Sequence, residues 1–333
     1  MRPIKTDEFS EKLRSKAVRP TTRELLVSKI EDSSQEDDLM EPTNCGGIGR
    51  IRHFRRNTAE GWPTNSLPID PASGRLGRKF TDVEKALVFQ NAACNWRCWY
   101  CYVPFSLLSA NEKTSRWVTA KNLVDLYLGL ESRPVIIDLS GGQPDLVPEW
   151  TVWMMEALED AGIQNEVFLW SDDNLSNDYF WRYLDADQIR KISGYKNYGK
   201  VGCFKGFDDQ SFQFNTRAES ALFDRQFELF GRSLELGIDL YGYATFTTED
   251  PRDIPGKMNR FIDRLQILSP NLPLRVVPLE VQAFGTATKE GRISHQHELA
   301  MELQNEAIEC WNLEISKRFT LEKRKLRIHE VAL

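Results

Sequence analysis

The chain contains no uninterrupted apolar run approaching the ~20 residues that a membrane-crossing helix requires. Its opening stretch, MRPIKTDEFSEKLRSKAVRP, has no apolar core of the kind a secretory leader carries, so a cytoplasmic location is expected. Positive charge is not in excess either. With 43 Lys and Arg against 49 Asp and Glu, the formal net charge is −6 and the pI lies near 5.5. That balance argues against a general nucleic-acid or anionic-membrane binder and leaves only local basic patches to consider. Six cysteines would suit the disulfide framework of a short secreted domain, but this chain is long and shows no such leader. In a reducing compartment, clustered cysteines are more often metal or redox ligands, and Cys45, Cys203 and Cys310, far apart in sequence, read as buried or free thiols.

What is present is an ample core and a repeating pattern. Of 333 residues, 41% are hydrophobic and 11% aromatic, enough for one large domain or two small ones. Residues 1 to about 40 include the acidic run EDSSQEDDLMEP and read as a mobile or loosely docked extension. Residues 44–79 are rich in Gly, Pro and Arg and predict irregular structure. From residue 80 onward, short apolar runs alternate with longer helix-like stretches. ALVFQ, PVIIDLS, EVFLWS, KVGCFKGF, IDLYGYATFTT and LPLRVVPLEV are the strand candidates, rich in Val, Ile, Phe and Tyr as strands buried on both faces are. The helical stretches place Phe223, Phe227, Phe230 and Leu234 on one stripe, and Gly162 and Gly237 where helix ends favour a left-handed residue.

Six strand–helix units imply a parallel sheet with right-handed crossovers. The expected fold is α/β, an open partial (β/α)6 TIM-type barrel over residues 80–285. An irregular N-terminal extension, 1–79, precedes it and a C-terminal helical extension, 286–333, follows. A doubly wound open sheet is the second choice. In the C-terminal helix, Leu299, Leu303, Ala307 and Trp311 predict the buried stripe.

Functional groups in parallel α/β folds gather where strands end. Cys94, Cys98 and Cys101 follow the first strand, Ser140 to Pro144 the second, and Ser171 to Asn174 the third; Lys205 closes the fourth and Thr245 lies late in the fifth. The cysteines are spaced C-x3-C-x2-C. An iron–sulfur cube normally takes four thiolates, so three on one loop leave one iron open to a small chelating ligand. A zinc knuckle is the plainer alternative. It needs a fourth ligand, for which His53 or Cys45 would have to serve.

CNWRCWYC (94–101) resembles the cluster motif of the radical S-adenosylmethionine enzymes, C-x3-C-x-aromatic-C, with Tyr100 as the aromatic. SGGQPDL (140–146) resembles that superfamily's Gly-Gly-Glu-Pro motif in its usual place after the second strand. The resemblance covers about residues 80–281. It implies a 4Fe–4S cluster held by Cys94, Cys98 and Cys101, with S-adenosylmethionine chelating the open iron. Gly141, Gly142, Gln143 and Pro144 would hold the amino end of that cofactor. Gln143 stands where the family has Glu; its amide carbonyl would still accept from an ammonium, more weakly than a carboxylate. The activity implied is reductive cleavage to methionine and a 5′-deoxyadenosyl radical, fed by a low-potential donor such as flavodoxin or ferredoxin, with abstraction of hydrogen from a substrate the sequence does not name, a protein being one candidate.

A finer similarity joins CFKGFDDQSF (203–212) to activating enzymes of glycyl radical proteins, where an Asp-x-Lys motif occupies this strand. Lys205 matches the lysine, implying a pairing with the cofactor's carboxylate, whereas Cys203 stands in place of the Asp, which weakens an activating role. Ser171 and Asp173 are further candidates for cofactor contact, against the plainer reading that Asp172 and Asp173 cap the next helix. Arg275 is expected to pair with an acidic neighbour, and the tryptophans of EWTVWMMEAL to be core. GRIRHFRRN (49–57) reads as a solvated loop or, less simply, a phosphate-binding patch. A non-catalytic iron–sulfur or zinc protein that senses redox state or binds nucleic acid is the competing class.

Overall fold

The computed structural model describes residues 2–54 and 65–333. In chain order its strands are β1 (Val18–Arg19), β2 (Glu24–Ser28), β3 (Gly49–His53), β4 (Lys85–Gln90), β5 (Ser115–Thr119), β6 (Ile136–Ser140), β7 (Phe168–Asp173), β8 (Tyr198–Phe204), β9 (Leu240–Thr245) and β10 (Val276–Leu279). β4, β6, β7, β8, β9 and β10 lie side by side in that order, every neighbouring pair parallel. These are the six strand runs anticipated from the sequence, and the fold is mixed α/β. β3 adds an antiparallel seventh strand beside β4, and β1, β2 and β5 form a separate small sheet.

Alternation along the strands sorts their side chains between two cores. Leu87, Phe89, Ile137, Leu139 and Leu169 pack against the helices Ala120–Leu128 and Glu149–Asp160, and farther along Phe204, Leu240 and Ala244 pack against Phe223–Glu235 and Ile254–Leu268. The intervening residues Ala86, Ile136, Phe168, Trp170, Val201, Cys203, Tyr241 and Tyr243 form a different cluster, closed by the helix Ile69–Leu76 and Ile328. The crossover helices therefore share one face, called outer below, and the strand order never reverses. A doubly wound sheet would need helices crossing over on both faces and a reversal of order. On the outer face the Phe204 ring meets Phe227, Phe230 and Phe261 at 5.0, 5.2 and 5.7 Å. Each such ring pair adds about 0.5–1.5 kcal/mol beyond area burial.

The N-terminal segment differs from expectation. Thr6–Ala17 is a helix whose buried positions are Thr6, Ser10, Leu13, Arg14 and Ala17. That is a helical stripe written in small and polar residues, which apolar periodicity does not detect. It is anchored by a bidentate ion pair from Arg14 to the buried Glu149 and by Arg225, which pairs with Asp7. Residues 49–53 and 69–76 are likewise regular, not loop.

In the C-terminal helix His295–Arg318 the buried positions are Ala300, Gln304, Ala307 and Trp311, while Leu299 is exposed. The stripe is turned by one residue because Gln304 is drawn inward. Its side-chain amide accepts from Val281 N at 2.7 Å and donates to Val281 O at 2.9 Å. Gly162 and Gly237 have φ of +71° and +73°, as their helix-end positions predicted. No helix among the described residues is long and apolar enough to cross a membrane.

Candidate functional site

Chain direction changes sharply after β4, and the cysteine loop begins there. Ala92 N donates to Leu26 O at 3.1 Å, Ala110 N to Ala92 O at 2.8 Å and Cys94 N to Leu108 O at 3.1 Å, so both limbs of the loop are tied to backbone. Within the loop Arg97 Nη1 donates to Cys94 O at 2.6 Å and to Trp96 O at 2.8 Å. Below it lies a buried amide network. Asn95 Nδ2 donates to Ser10 Oγ and Ser176 Oγ at 2.8 and 2.7 Å, and Asn174 Nδ2 donates to Asn95 Oδ1 at 3.0 Å while standing 3.9 Å from Cys94 Sγ. Trp96 Nε1 donates to Thr6 Oγ1 at 3.2 Å, so the N-terminal helix is a wall of this site.

Cys94, Cys98 and Cys101 are free thiols. Burial pushes all three above the ordinary thiol range, Cys98 to about 12. Opposing that shift are cations: Arg97 acts on Cys94, Lys205 on all three, and Arg292 on Cys101. A donor set of three half-buried thiols on one loop, attended by cations, fits an anionic cluster, because only the thiolate is a ligand. A closed zinc site needs a fourth ligand. Among the described residues no three His, Cys, Asp or Glu side chains, these cysteines included, are gathered into a ready-made metal site. The candidate fourth ligands are engaged elsewhere: His53 contacts Glu41 at 2.9 Å, and Cys45 packs in the outer core.

The glycine turn after β6 presses directly on this loop. Gly141 and Gly142 have φ of +69° and +66°. A Cβ on Gly142 would lie 2.4 Å from Asn91 O and 2.5 Å from Ala93 O, and one on Gly141 would run into Gln90. Gln143 N closes the contact by donating to Ala93 O at 2.7 Å, and Asn91 Nδ2 donates to Gln143 O at 2.9 Å. Gly142→Ala is therefore expected to destabilise the fold by at least about 1–3 kcal/mol, the cost of a non-glycine residue at positive φ, before any clash is counted. Thermal unfolding checks this; an unchanged midpoint would contradict the tight packing.

The remaining anticipated residues divide by strand parity. Gln143 is wholly buried, and both ends of its amide are used: Nε2 donates to Asp173 Oδ1 at 2.8 Å and Oε1 accepts from Asn174 N at 2.8 Å. One of the two lone pairs of the Gln143 carbonyl is thus engaged by backbone. A glutamate in its place would set one carboxylate against another at Asp173. Pro144 is buried at the start of the 3-10 turn Pro144–Leu146. Ser171 and Asp173 fall on the outer, helix-covered face. Ser171 Oγ hydrogen-bonds Tyr198 OH at 2.7 Å, and Asp173 lies 3.3 Å from Lys200 Nζ.

Asp172, between them, falls on the inner face and accepts from Ser140 Oγ at 2.5 Å. The same face holds Asp138, Arg52, Cys203, Tyr243 and Lys205. Burial and the neighbouring Asp172 push Asp138 up to about 7 against Arg52, whose Nη1 donates to it at 3.2 Å. Burial likewise lifts the Cys203 thiol to about 12. Lys205 is fixed by its backbone: its N donates to Gln226 Oε1 at 2.8 Å and its O accepts from Asn215 Nδ2 at 3.1 Å. Burial works against its ammonium, and Cys203, Tyr100 and Cys98 around it more than offset that. It has no carboxylate partner among the described residues. Tyr100 OH donates to Thr245 Oγ1 at 3.3 Å, bringing the fifth strand's threonine to the loop.

Arg275 pairs with Asp239 at 2.9 Å, and Trp150 and Trp153 are core, both as expected. The basic stretch 49–57 is not a solvated patch over its described part. Arg50 and Arg52 lie on β3 facing inward, Arg50 donating to Tyr102 OH at 3.0 Å; Arg55 and Arg56 lie outside the described residues. Lys200, buried between Asp145 and Asp173, had no sequence signal at all.

No protein-family model matches the chain, and no curated protein does. Among solved structures it is similar to SuiB of Streptococcus suis. With the structure bound to S-adenosylmethionine it shares 13% identity at a TM-score of 0.46, over 69% of this chain and 47% of that one. With the structure bound to precursor peptide SuiA the figures are 14%, 0.45, 69% and 46%. The chain spans under half the length of those structures, and overlaps of this size fall short of establishing a common fold.

Proposed function

We propose that the chain is a radical S-adenosylmethionine enzyme, built on an open partial barrel, with Cys94, Cys98 and Cys101 holding a 4Fe–4S cluster. The observation that carries this reading is the juxtaposition of three thiols on one loop with a glycine turn locked against that loop's backbone at Asn91 and Ala93. When bound, the cluster and S-adenosylmethionine supply reductive cleavage of the sulfonium C–S bond, yielding methionine and a 5′-deoxyadenosyl radical. An electron from a low-potential donor of the flavodoxin or ferredoxin kind is required. Gly141 and Gly142 let the turn pack against Gln90, Asn91 and Ala93 where a Cβ could not be accommodated, and leave its backbone free of side chains toward the cofactor. Gln143 positions the turn and the end of β7 instead of offering its amide outward. Ser171 and Asp173 enter as supports of that strand end, while Asp172, with the inward parity, is the better placed carboxylate for a ligand. Lys205, cationic and without a carboxylate of its own, is suited to the cofactor's carboxylate. Trp96 and Trp99, both buried, limit water around the thiols.

The direct test is anaerobic reconstitution, reduction, and measurement of 5′-deoxyadenosine released from S-adenosylmethionine. A chain with full iron and sulfide content that releases none is not an enzyme of this class. Lys205→Met is expected to weaken S-adenosylmethionine binding roughly 10- to 100-fold, the value of a charged hydrogen bond of about 1.5–3 kcal/mol. Equilibrium dialysis on the cluster-loaded protein measures it, and wild-type affinity in that variant would remove Lys205 from the site.

A further inference from the structure

The segment after β10 folds back over the cysteine loop. Phe284 meets Tyr102 at 6.0 Å between ring centroids, and His297 stacks on Trp99 at 4.5 Å. Ile293 packs with Trp99 and Tyr100. Between these contacts lies Arg292, whose side chain is only 8% exposed.

Its Nε, Nη1 and Nη2 are all buried without a hydrogen-bond partner. The carboxylate of Glu290 stands 3.0 Å from Nε but makes no hydrogen bond with it, and is itself 29% exposed. The guanidinium is centred 4.4 Å from the Phe105 ring, and the guanidinium of Arg97 lies 5.4 Å from the same ring. Phe105 in turn packs in one apolar cluster with Cys94 and Cys101. Two arginines thus crowd one ring beside two of the three thiols, with Lys205 as a third cation near the same sulfurs. Gathering like charges and burying a guanidinium with no hydrogen bonds costs several kcal/mol, which its ion pair with the part-exposed Glu290 offsets only in part.

We infer that Arg292 is a positioning residue for the cysteine-held cluster, and that its guanidinium, which makes no hydrogen bond, takes the anionic sulfur environment of the loaded loop as a partner in addition to Glu290. The inference rests on the proposal that these cysteines hold a 4Fe–4S cluster. Its consequence is electrostatic. One-electron reduction adds a negative charge to the loop, and a fixed cation nearby favours the reduced state. The C-terminal segment therefore belongs to the redox centre as well as covering it.

The test is a potentiometric titration followed by electron paramagnetic resonance on reconstituted wild type, Arg292→Gln and Arg292→Lys, with iron and sulfide assayed in each. Arg292→Gln is expected to lower the equilibrium constant for reduction about tenfold, a shift of ~59 mV for a one-electron couple. Arg292→Lys, which keeps the charge, is expected to stay near the wild-type midpoint. Arg292→Gln with full cluster content and an unchanged midpoint overturns the inference. Should Arg292→Gln fail to load, Arg292→Lys decides. Loading at the wild-type midpoint supports the charge, and failure there too shows a packing role and overturns it. A wild-type chain that takes up no iron and sulfide overturns the underlying proposal itself, a separate and visible result.

Discussion

Cys98→Ala is expected to leave the reconstituted protein with background iron and sulfide and no measurable release of 5′-deoxyadenosine. The loss should exceed the roughly 100-fold that follows removal of an outer-shell partner of a metal site, because a ligand itself is gone. Cys94 and Cys101 alone cannot replace it: among the described residues no other thiol belongs to the loop, Cys203 lies on the inner face of β8, and Cys45 is in the outer core. The fold should survive, since Cys98 is only partly buried and contributes a single sulfur to the aromatic cluster around Trp96 and Phe212. Cys45→Ala is the matched control. Its thiol, pushed up to about 11 by burial, packs against the Asn44–Gly49 turn, and its removal should cost stability without lowering iron content. Iron, sulfide and the visible absorption of both variants decide the matter. A Cys98→Ala chain that loads a full cluster would mean the three-thiol reading is mistaken.

Lys200→Met is expected to destabilise the fold by about 3–5 kcal/mol, the cost of removing one partner from a buried charged group. Lys200 is 2% exposed, in contact with Asp145 and 3.3 Å from Asp173. Asp173 is in turn held by Gln143 Nε2 and Leu175 N, both at 2.8 Å, so the carboxylates cannot swing to water when the cation is lost. Burial and the charge of Asp173 already push Asp145 up to about 7 in the presence of Lys200. A carboxylate with a raised folded value favours the native state fully below its unfolded value near 4 and loses that advantage as pH rises through 7. Without the cation the Asp145 carboxyl rises further. The stability gap between Lys200→Met and wild type should therefore widen from pH 5 to pH 8. Urea unfolding at several pH values measures the gap, and a gap that is small or constant with pH would show that Lys200 serves only to fill space.

This buried triad also bears on the Gly-Gly-Gln-Pro turn. Gln143 links the turn to Asp173, Asp173 links it to Lys200 on β8, and Lys200 returns to Asp145 two residues past Gln143. The loop that faces the candidate cofactor site is thus clamped from the outer face of the sheet. Disturbing Lys200 should loosen Gly141 and Gly142 as well as lower stability. The glutamine is explained by the same geometry, because an amide can donate to Asp173 where a carboxylate would repel it.

The features legible in the sequence were those that depend on neighbours along the chain. The spacing of Cys94, Cys98 and Cys101 confines three thiols to one loop whatever surrounds it. Apolar runs placed the six parallel strands, since strands covered on both faces must be apolar throughout. Gly141 and Gly142 follow from a sharp turn after β6. The features that escaped depend on partners remote in sequence. The helix Thr6–Ala17 buries threonine and serine because Trp96 and Asn95 need their hydroxyls, so its inner stripe carries no hydrophobic signal. Ala300 displaced Leu299 from the buried stripe because Gln304 reaches Val281.

By itself, then, the sequence determined the thiol loop, the glycine turn and the positions of the six strands, all local consequences of spacing and apolar period. Only the tertiary structure decided which of Ser171, Asp172 and Asp173 looks inward, because side chains alternate across a strand and a one-residue difference changes the face. It also decided that Lys200 sits between two carboxylates, and that Arg292, nearly two hundred residues beyond the cysteines, comes to rest beside them. Charges act through space, and their distances are set by folding rather than by position in the chain.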